Sequence, residues 1–283
     1  ASTAESSDMN FAASGIKTPQ IKVNHPSFDV FVKELNPEIV LFERFTAEEQ
    51  FGWRVAEQVP DALRILDTED LHSLRKTREE ALRKNIDFTV NLWFEHDTTK
   101  REIASIYRCD LSLIISSFEM QLLTQEIGVD NSILLYLPFM LEPFVDGITS
   151  TWKSFDDRKD FVFIGFGGHA PNVDAIQYLK TEIWPLVRKT LPKANLNIYG
   201  GNFPQRITQL HDKKDGFLIH GWTTDAQKLI TDSRVLLAPL RFGAGLKGKL
   251  IDAMVTGTPN VTSAVGVEGM YENLPWSGKI CND

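Results

Sequence analysis

Short apolar runs alternate with amphipathic segments along most of the chain, beginning near Pro26. This alternation predicts parallel strands joined by crossover helices. In the first half of the chain, strands are predicted at Ile39–Phe42, Leu63–Asp67, Leu111–Ser116 and Ile133–Leu137. Helices are predicted near Phe28–Leu35, Thr46–Val59, Ser73–Lys84, Lys100–Cys109 and Glu119–Glu126. The first half is therefore predicted to be an α/β domain.

The second half repeats this pattern. Its strands are predicted at Phe161–Gly165, Leu196–Tyr199, Gly216–His220, Val235–Pro239 and Asn260–Thr262. Its helices are predicted at Asn172–Lys180, Ile183–Thr190, Phe203–Leu210, Asp225–Ser233 and Leu246–Thr256. Between the halves, Phe139 to Lys159 contains Pro143, Gly147 and a polar run, which is typical of a linker or hinge. We therefore predict two domains, residues 1–145 and 146–283, with residues 1–15 disordered.

Charge and composition narrow the possible partners. The 283 residues include 30 Lys and Arg against 38 Asp and Glu, a net charge of −8, so no basic excess is present for binding duplex nucleic acid. Two cysteines without the spacing of a zinc or redox site favour a reducing, cytoplasmic compartment. The longest apolar run, Ile133 to Leu141, contains a proline and is too short to span a bilayer. We predict no transmembrane segment and no bound metal.

The stretch from Leu236 to Val261 carries the strongest functional signal. It predicts a strand, a glycine loop, a helix, a turn and the next strand, with Lys247 and Lys249 in the first helical turn. Because a helix N-terminus already carries about half a positive charge and several unpaired N–H groups, two lysines there indicate a bound anion. Phosphate is the simplest such anion. Gly243 and Gly245 would let the backbone approach it closely.

The predicted helix has two distinct faces. Its packing face is formed by apolar residues at helical spacing: Leu246, Leu250, Ala253 and Met254. Lys249 and Asp252 share another face, which suits a lysine on a diphosphate and a carboxylate on ribose hydroxyls. The alternative is a solvated helix with an ordinary i, i+3 ion pair, which contributes roughly 0.2–0.5 kcal/mol. The glycine loop favours the nucleotide interpretation.

Ligands of open parallel sheets bind beyond the carboxyl ends of the strands, so the residues that follow each strand are candidates. After the first strand of the second domain, Gly165-Phe-Gly-Gly-His169 exposes backbone to a phosphate or sugar. The glycines concerned are Gly165, Gly167 and Gly168. His169 either contacts the ligand or lies on the plain surface.

Two later strand ends add further candidates. His220-Gly221 would let the chain bend around a planar group such as a nucleobase, and Trp222 either stacks there or fills the core. Arg241 either grips a phosphate with two hydrogen bonds or forms a surface ion pair.

In the first domain, the segment after the second predicted strand gathers carboxylates, an imidazole and a guanidinium. Asp70, His72 and then Arg75 could hold an acceptor hydroxyl and manage its proton. The alternative is helix capping, with Asp70 as the N-cap.

Ser116-Ser-Phe-Glu119 has the spacing of a capping box, so a structural role is expected first and ligand contact second. The sequence contains no G-x-S-x-G elbow, HExxH, P-loop or EF-hand pattern, which argues against those chemistries.

Taken in order, these residues resemble a known family. The second-half motifs are Phe163-Ile-Gly165, Pro171-Asn-Val-Asp-Ala175, Ile183-Trp-Pro185, Tyr199-Gly200, His220-Gly221, Ala238-Pro-Leu-Arg-Phe-Gly-Ala-Gly245, Lys249, Asp252-Ala-Met254, Gly257-Thr-Pro259 and Val265-Gly-Val-Glu-Gly269. The first-half motifs are Glu38-Ile-Val40, Phe42-Glu-Arg44, Leu66-Asp-Thr68, Asp70-Leu-His72 and Ser116-Ser-Phe-Glu119. As a set, they are similar to the retaining GT-B glycosyltransferases of the "group 1" family.

The resemblance implies a fold and a reaction. It implies two Rossmann-like, doubly wound α/β domains that face a cleft, with the donor in the second domain and the acceptor in the first. The reaction implied is transfer of a sugar from a nucleotide diphosphate sugar to an acceptor hydroxyl, with retention. No cofactor or obligatory metal is implied, because cationic side chains and a helix N-terminus stabilise the leaving diphosphate. The acceptor, whether a glycan, a lipid or a small molecule, stays open.

The resemblance also implies roles for individual residues. Lys249, with Arg241 or Lys247, would hold the diphosphate, and Asp252 would bind the ribose. The base edge would meet His220-Gly221, the sugar–phosphate region would meet the Gly165 loop, and Glu268 would contact the donor. In the proposed reaction, Lys249 neutralises charge on the diphosphate while Asp70 and His72 position the acceptor.

The chain also departs from the family pattern. The family usually has glutamate where Asp252 stands and an acid near Ala244. No opening strand with a glycine-rich loop precedes Ile16, and the sequence stops near Ile280, so we expect an incomplete first domain and a truncated second one. Two alternatives therefore stay open: a noncatalytic nucleotide-sugar-binding or regulatory protein, and a sugar-nucleotide epimerase.

Overall fold

A computed structural model describes residues 11–144, 146–271 and 274–282. The predicted disorder of residues 1–15 falls mostly outside these ranges, and Phe11–Ser14 forms a 3-10 turn. Within the described residues, the strands form two parallel sheets, one on each side of the predicted boundary at residue 145. No helix in these ranges is long and apolar enough to cross a membrane.

The first sheet has four parallel strands in sequence order. They are β1 (Ile39–Glu43), β2 (Leu63–Asp67), β3 (Leu111–Ile114) and β4 (Leu134–Tyr136). The accompanying helices are α1 (Ser27–Leu35), α2 (Phe45–Gln58), α3 (His72–Lys84), α4 (Val90–Glu95), α5 (Asp97–Arg108) and α6 (Ser117–Gln121). A sheet ordered in this way places its right-handed crossovers on one face.

Burial shows which face the helices cover. Phe42, Leu66 and Ile114 are buried in one cluster with apolar side chains of α1, α2, α3 and α5. The opposite face presents the alternate residues of the same strands to solvent, among them Ile39 (57% exposed), Leu41 (52%), Leu63 (42%) and Leu135 (44%). Parallel sheets normally bury both faces, and among the described residues no helix covers this apolar face.

The second sheet has six parallel strands in the order β10-β9-β8-β5-β6-β7. They are β5 (Lys159–Ile164), β6 (Leu196–Tyr199), β7 (Phe217–Gly221), β8 (Ser233–Ala238), β9 (Asn260–Thr262) and β10 (Lys279–Ile280). The helices are α7 (Ala170–Tyr178), α8 (Trp184–Thr190), α9 (Gln205–Thr208), α10 (Ala226–Asp232), α11 (Gly248–Val255) and α12 (Ala264–Val267).

Both faces of the second sheet are covered. Phe163 packs against α7 and α8 on one face, and its neighbour Val162 packs with Ile230 and Leu250 on the other. The strand order reverses between β5 and β8, so the loops after these two strands diverge. A crevice opens at such a switch point, and ligands of open α/β sheets bind there.

The predicted α/β class with parallel sheets is confirmed, and most elements lie close to their predicted bounds. The predicted helix Glu119–Glu126 is instead a short α6 followed by π-helical turns over Leu122–Ile127. The helix Val90–Glu95 and the strand Lys279–Ile280 were not predicted. Both are short segments, whose periodicity is too brief to identify from sequence.

The connecting segment between the sheets is anchored by one buried arginine. Arg158 is 1% exposed and donates to the carbonyls of Thr231 and Thr256 and to the hydroxyl of Thr258. These bonds fix the end of the segment at the entry to β5.

Candidate functional site

A cleft of about 480 Å³ lies between the two sheets, at the carboxyl ends of β2, β5 and β8. Each wall comes from a different domain. The first domain contributes Arg44, Glu69, Asp70, His72 and Arg75. The second contributes Phe166, Gly168 and His169 of the β5–α7 loop and Pro171 and Asn172 of the first turn of α7. It also contributes Leu240 and residues 243–249, from the β8–α11 loop and the start of α11. The crevice expected from strand order is therefore present.

Helix α11 begins at Gly248 on this cleft, and no side chain caps its first turn. The Lys249 ammonium is half-buried in the cleft wall, donates to Asn172 Oδ1 at 2.6 Å, and lies 4.4 Å from the centre of the Phe163 ring. The ion pair with Asp252 that we weighed as an alternative is absent, because Nζ turns to Asn172. Open backbone N–H groups and a cation thus meet at one end of the helix.

Lys247 is more deeply placed. Its side chain is buried and Nζ donates to the carbonyls of Ala244 (3.2 Å) and Gly245 (2.7 Å). The lysine therefore holds the glycine loop in shape while keeping its charge close to the start of α11.

The electrostatics of the two lysines are unusual. Burial lowers the pKa of Lys249 to about 7, and the positive charge of Lys247 adds to this decrease. Burial likewise lowers the pKa of Lys247, against the attraction of Glu268 and Glu119. An anion bound in the cleft would relieve both effects, because it favours the charged form of each lysine.

The glycine loop after β5 packs tightly. A Cβ at Gly165 would approach the Asn172 side chain to 2.6 Å, and a Cβ at Gly167 would approach the backbone of Asn202 and Phe203 equally closely. A Cβ at Gly168 would meet the Phe166 ring at 2.4 Å. At Gly167 the obstacle is backbone, so only glycine fits there, whereas at Gly165 and Gly168 a neighbouring side chain would have to move. At least part of the glycine pattern therefore serves packing inside the loop.

His169 lines the cleft, as its functional interpretation requires. Burial lowers the pKa of its imidazole to about 4, and the nearby Arg75 guanidinium contributes to the decrease. The imidazole is therefore neutral near pH 7 and can accept a hydrogen bond from a ligand.

The facing wall is built around Asp70. Its carboxylate accepts from Arg75 Nε at 2.8 Å and Nη2 at 3.1 Å, and His72 Nε2 lies 3.2 Å from Oδ1. Although burial raises the pKa of Asp70, the Arg75 guanidinium outweighs it and holds the pKa below its usual value. Burial lowers the pKa of His72. The wall thus offers an ionised carboxylate beside a neutral imidazole.

The alternative weighed for Asp70, that it caps helix α3, is wrong. The N-cap is Leu71, without a side-chain cap, and Glu102 of α5 accepts from the backbone N–H of His72 and Ser73. Because a carboxylate from another helix satisfies these donors, Asp70 is free to face the cleft.

The predicted capping box at Ser116 and Glu119 is also wrong. Ser116 makes no capping bond, and Glu119 Oε1 accepts from the backbone N–H of Leu71 at 3.1 Å and of Gly245 at 2.7 Å. Burial and the Asp70 charge raise the pKa of Glu119, and among the described residues Oε2 has no partner. Glu119 therefore joins the Asp70-bearing wall to the lysine-bearing loop.

A second bond between the domains runs through Arg78 of α3. It donates to the Gly243 carbonyl at 2.8 Å and pairs with both carboxylate oxygens of Glu268, at 2.7 and 2.8 Å. Glu268, which the resemblance placed on the donor, is engaged in this ion pair and does not line the cleft. Arg78 lies in the first domain, so motifs of the second domain alone could not predict that Glu268 pairs with it.

We expect Arg78→Ala to destabilise the folded protein by about 3 kcal/mol, because it leaves the partly buried Glu268 carboxylate unpaired. Urea unfolding measures the free energy. Arg83→Ala, on the same helix, is the matched control, since Arg83 pairs with Glu79 on the exposed surface and its loss should change stability by less than about 0.5 kcal/mol. Equal changes in unfolding free energy for the two substitutions would contradict the role of the Arg78–Glu268 pair in joining the domains.

Three predicted donor contacts lie outside the cleft. Arg241 pairs with Asp174 and stacks on Tyr178, so the surface ion pair weighed as its alternative is present. Asp252 is exposed on α11 and lines a separate groove, and burial raises its pKa. His220 hydrogen-bonds Asn197 at 2.8 Å at the end of β7.

The end of β7 leaves one aromatic ring in solvent. His220 stacks on Tyr199, Gly221 adopts a positive φ of 84°, and Trp222 is 72% exposed. The core-filling alternative for Trp222 is therefore wrong.

Some residues of the cleft escaped sequence reasoning. Arg44 was named only as the end of a family motif, although it follows β1, pairs with Glu69 and lines the cleft. Asn172 was quoted only within a motif, although its amide holds Lys249. No pattern in the sequence indicates that Glu119 bridges the domains, because both of its partners are backbone groups remote in sequence.

Comparison with known proteins assigns the architecture. Residues 158–274 match the family described as Glycosyl transferases group 1, a match that covers less than half of the 283 residues. No match to the sequence was found among curated proteins.

Several solved structures are similar to this chain, among them the following three. TarM of S. aureus is 15% identical, with 89% of this chain and 47% of TarM covered at a TM-score of 0.64. The pneumococcal O-GlcNAc transferase GtfA, in complex with UDP and GlcNAc, is 17% identical, with 85% and 45% covered and a TM-score of 0.60. HepE of Anabaena, in complex with UDP, is 11% identical, with 90% and 67% covered and a TM-score of 0.58.

These likenesses define the class to which the fold belongs. The chain has the GT-B fold, in which two α/β domains with parallel sheets face a cleft. Its second domain carries the match to the group 1 glycosyl transferases. The chain spans about half the length of TarM and GtfA.

Proposed function

We propose that this protein is a glycosyltransferase that moves a sugar from a nucleotide diphosphate sugar to an acceptor hydroxyl, with retention at the anomeric carbon. One observation carries the proposal: the uncapped start of α11 and the Lys249 ammonium face the Asp70–His72 wall across a single cleft. The match of residues 158–274 to the group 1 family supports it.

On the donor side, the diphosphate binds at the N-terminus of α11. Its oxygens accept from the open backbone N–H groups and from Lys249, while Lys247 adds charge from within the loop. The sugar lies against the Gly165 loop beside His169. Asp252 binds the ribose and His220-Gly221 the base, which extends the donor along the carboxyl edge of the second sheet. Arg241 takes part only if it leaves Asp174.

On the acceptor side, Asp70 and His72 hold the attacking hydroxyl. The bond from the anomeric carbon to the diphosphate oxygen breaks, and the acceptor oxygen bonds to that carbon on the same face. The acceptor proton passes to the Asp70–His72 pair, and the nucleoside diphosphate leaves with the electron pair. Lys249 and the α11 N-terminus stabilise the charge that develops on the leaving group, so the chemistry calls for no obligatory metal or cofactor.

A panel of UDP-glucose, GDP-mannose and ADP-glucose tests the donor assignment by thermal shift, since a ligand of the native state raises Tm by mass action. The UDP in the GtfA and HepE complexes makes uridine the first base to try. The best donor is then incubated with candidate acceptors, and the product is analysed. Binding without turnover would favour the noncatalytic alternative, an isomeric sugar formed without acceptor would favour epimerisation, and no shift with any donor would contradict the proposal.

The affinity for a nucleotide sugar should decrease as pH rises from about 6 to about 9. The Lys249 pKa lies at about 7, so the cation that attracts the diphosphate is lost above that pH. Lys247, whose pKa burial also lowers, adds to the decrease, and each linked proton allows a decrease of at most about tenfold per pH unit. His169, with a pKa of about 4, does not titrate in this range. Titration calorimetry with the best donor measures the dependence, and a flat profile would contradict the role of Lys249.

The predicted cytoplasmic location stays a prediction. Cys109 is buried and Cys281 exposed, both as free thiols, which is compatible with a reducing compartment.

A further inference from the structure

The side-chain amide of Asn172 lies between two parts of the donor wall. Its Nδ2 donates to the Phe166 carbonyl at 3.0 Å, and its Oδ1 accepts from Lys249 Nζ at 2.6 Å. Asn172 belongs to the first turn of α7, whereas Lys249 belongs to the first turn of α11. One amide therefore links the glycine loop after β5 to the cation of another helix.

The orientation of this amide is fixed by its surroundings. Because Nδ2 faces a carbonyl, the oxygen must point the other way, toward Lys249. Asn172 is 7% exposed, and its amide occupies the space that a Cβ at Gly165 would need, at 2.6 to 2.8 Å. A buried, singly oriented amide loses little entropy when it holds a charged partner.

We propose that Asn172 is a positioning residue for donor binding, which holds the Lys249 ammonium at the mouth of α11, where the diphosphate would lie. The inference rests on the proposed function and deepens it. The amide oxygen is the partner that suits this task, since it accepts from the ammonium and stays neutral. A carboxylate in its place would also hold the lysine but would repel the phosphate.

The same contact affects the titration of Lys249. The amide oxygen stabilises the protonated ammonium, while burial and Lys247 oppose it. From the loop after β5, His169 faces the same space, and Asp70 and Arg75 face it from the opposite wall. None of these is a direct hydrogen-bond partner of Lys249 Nζ among the described residues, so changing Asn172 should move the lysine's titration directly.

A purely structural role is the competing explanation, because the Nδ2 bond to Phe166 also braces the loop. The two explanations differ in what they predict for Lys249. If Asn172 only stabilises the loop, its removal should change ligand affinity equally at every pH, with or without Lys249. A positioning residue acts only through the lysine.

The experiment uses the full chain and the nucleotide sugar that gives the largest shift among UDP-glucose, GDP-mannose and ADP-glucose. Asn172→Ala should weaken binding at pH 7 roughly tenfold, the effect of one hydrogen bond to a charged group. The pH midpoint of nucleotide-sugar binding should move down in this variant, because the Lys249 ammonium loses its hydrogen-bond acceptor. Asn172→Asp should also weaken binding, yet should move the midpoint up, because a carboxylate favours the charged lysine.

A double-mutant cycle completes the test. In a Lys249→Met background, Asn172→Ala should have no further effect on affinity. Asn195→Ala is the matched control, since this asparagine bonds to Asp160 at the opposite end of the sheet and should leave affinity and midpoint unchanged. Circular dichroism and Tm confirm that each variant is folded.

The outcomes separate the two proposals. The positioning role is overturned, while the donor site stands, if Lys249→Met weakens binding but the Asn172 variants keep the wild-type pH midpoint. The same holds if Asn172→Ala weakens binding as much in the Lys249→Met protein as in the wild type. If Lys249→Met itself leaves binding unchanged, the proposed function fails first.

Discussion

Lys249→Ala should strongly weaken the binding of nucleotide diphosphate sugars. The ammonium lies beside the uncapped start of α11, where it adds a full charge to a site otherwise formed by N–H dipoles. Charge-assisted bonds to phosphate are among the strongest in proteins, and the loss of one in a cleft should weaken binding by about a hundredfold or more, roughly 3 kcal/mol. Calorimetry with the best donor measures the loss.

The control for this substitution is Lys189→Ala. Lys189 lies in the exposed last turn of α8 and does not line the cleft, so its removal changes the net charge identically without touching the site. It should leave affinity within about twofold, because exposed charges are screened by salt. Unchanged affinity in Lys249→Ala would remove the central assignment of the donor site.

Asp70→Asn should reduce kcat by about a hundredfold to a thousandfold, the range expected when a group that manages a proton is lost. Donor affinity should stay the same, because Asp70 lies on the wall opposite α11. The substitution conserves shape but removes the charge that accepts from Arg75 and orients His72. Steady-state kinetics with saturating donor, together with calorimetry, separates the two effects.

Asp110→Asn provides the comparison. Asp110 also pairs with an arginine, Arg64, but at the amino end of the same sheet, far from the cleft. Its loss should leave kcat unchanged. A comparable decrease in kcat for both variants would indicate a general loss of stability, and full activity of Asp70→Asn would exclude Asp70 from the reaction.

The fold was largely predictable because its elements follow simple periodicities. Leu63–Asp67 and Leu196–Tyr199 form strands at their predicted bounds, since each is a short apolar run between turn signals. The π-helical turns after Gln121 could not be predicted, because no periodic pattern distinguishes them from a continuing α-helix.

The site was predictable where local rules suffice. Two lysines at a helix start predict an anion site from local rules, and the structure brings Lys247 and Lys249 to one cleft with Asp70. Carboxylates were harder to assign. Glu119 and Glu102 accept backbone donors from segments distant in sequence, so their partners depend on packing that spacing rules do not encode.

The grip of Glu119 on the Gly245 amide has a thermodynamic consequence for substrates. This hydrogen bond connects the loop that carries Lys247 to the wall that carries Asp70, so the two sides of the cleft are joined through one side chain. If a donor and an acceptor each bind more tightly when this bond is formed, each must raise the affinity of the other by the same factor. Substrate synergy is thus a property that this single carboxylate could confer on the whole cleft.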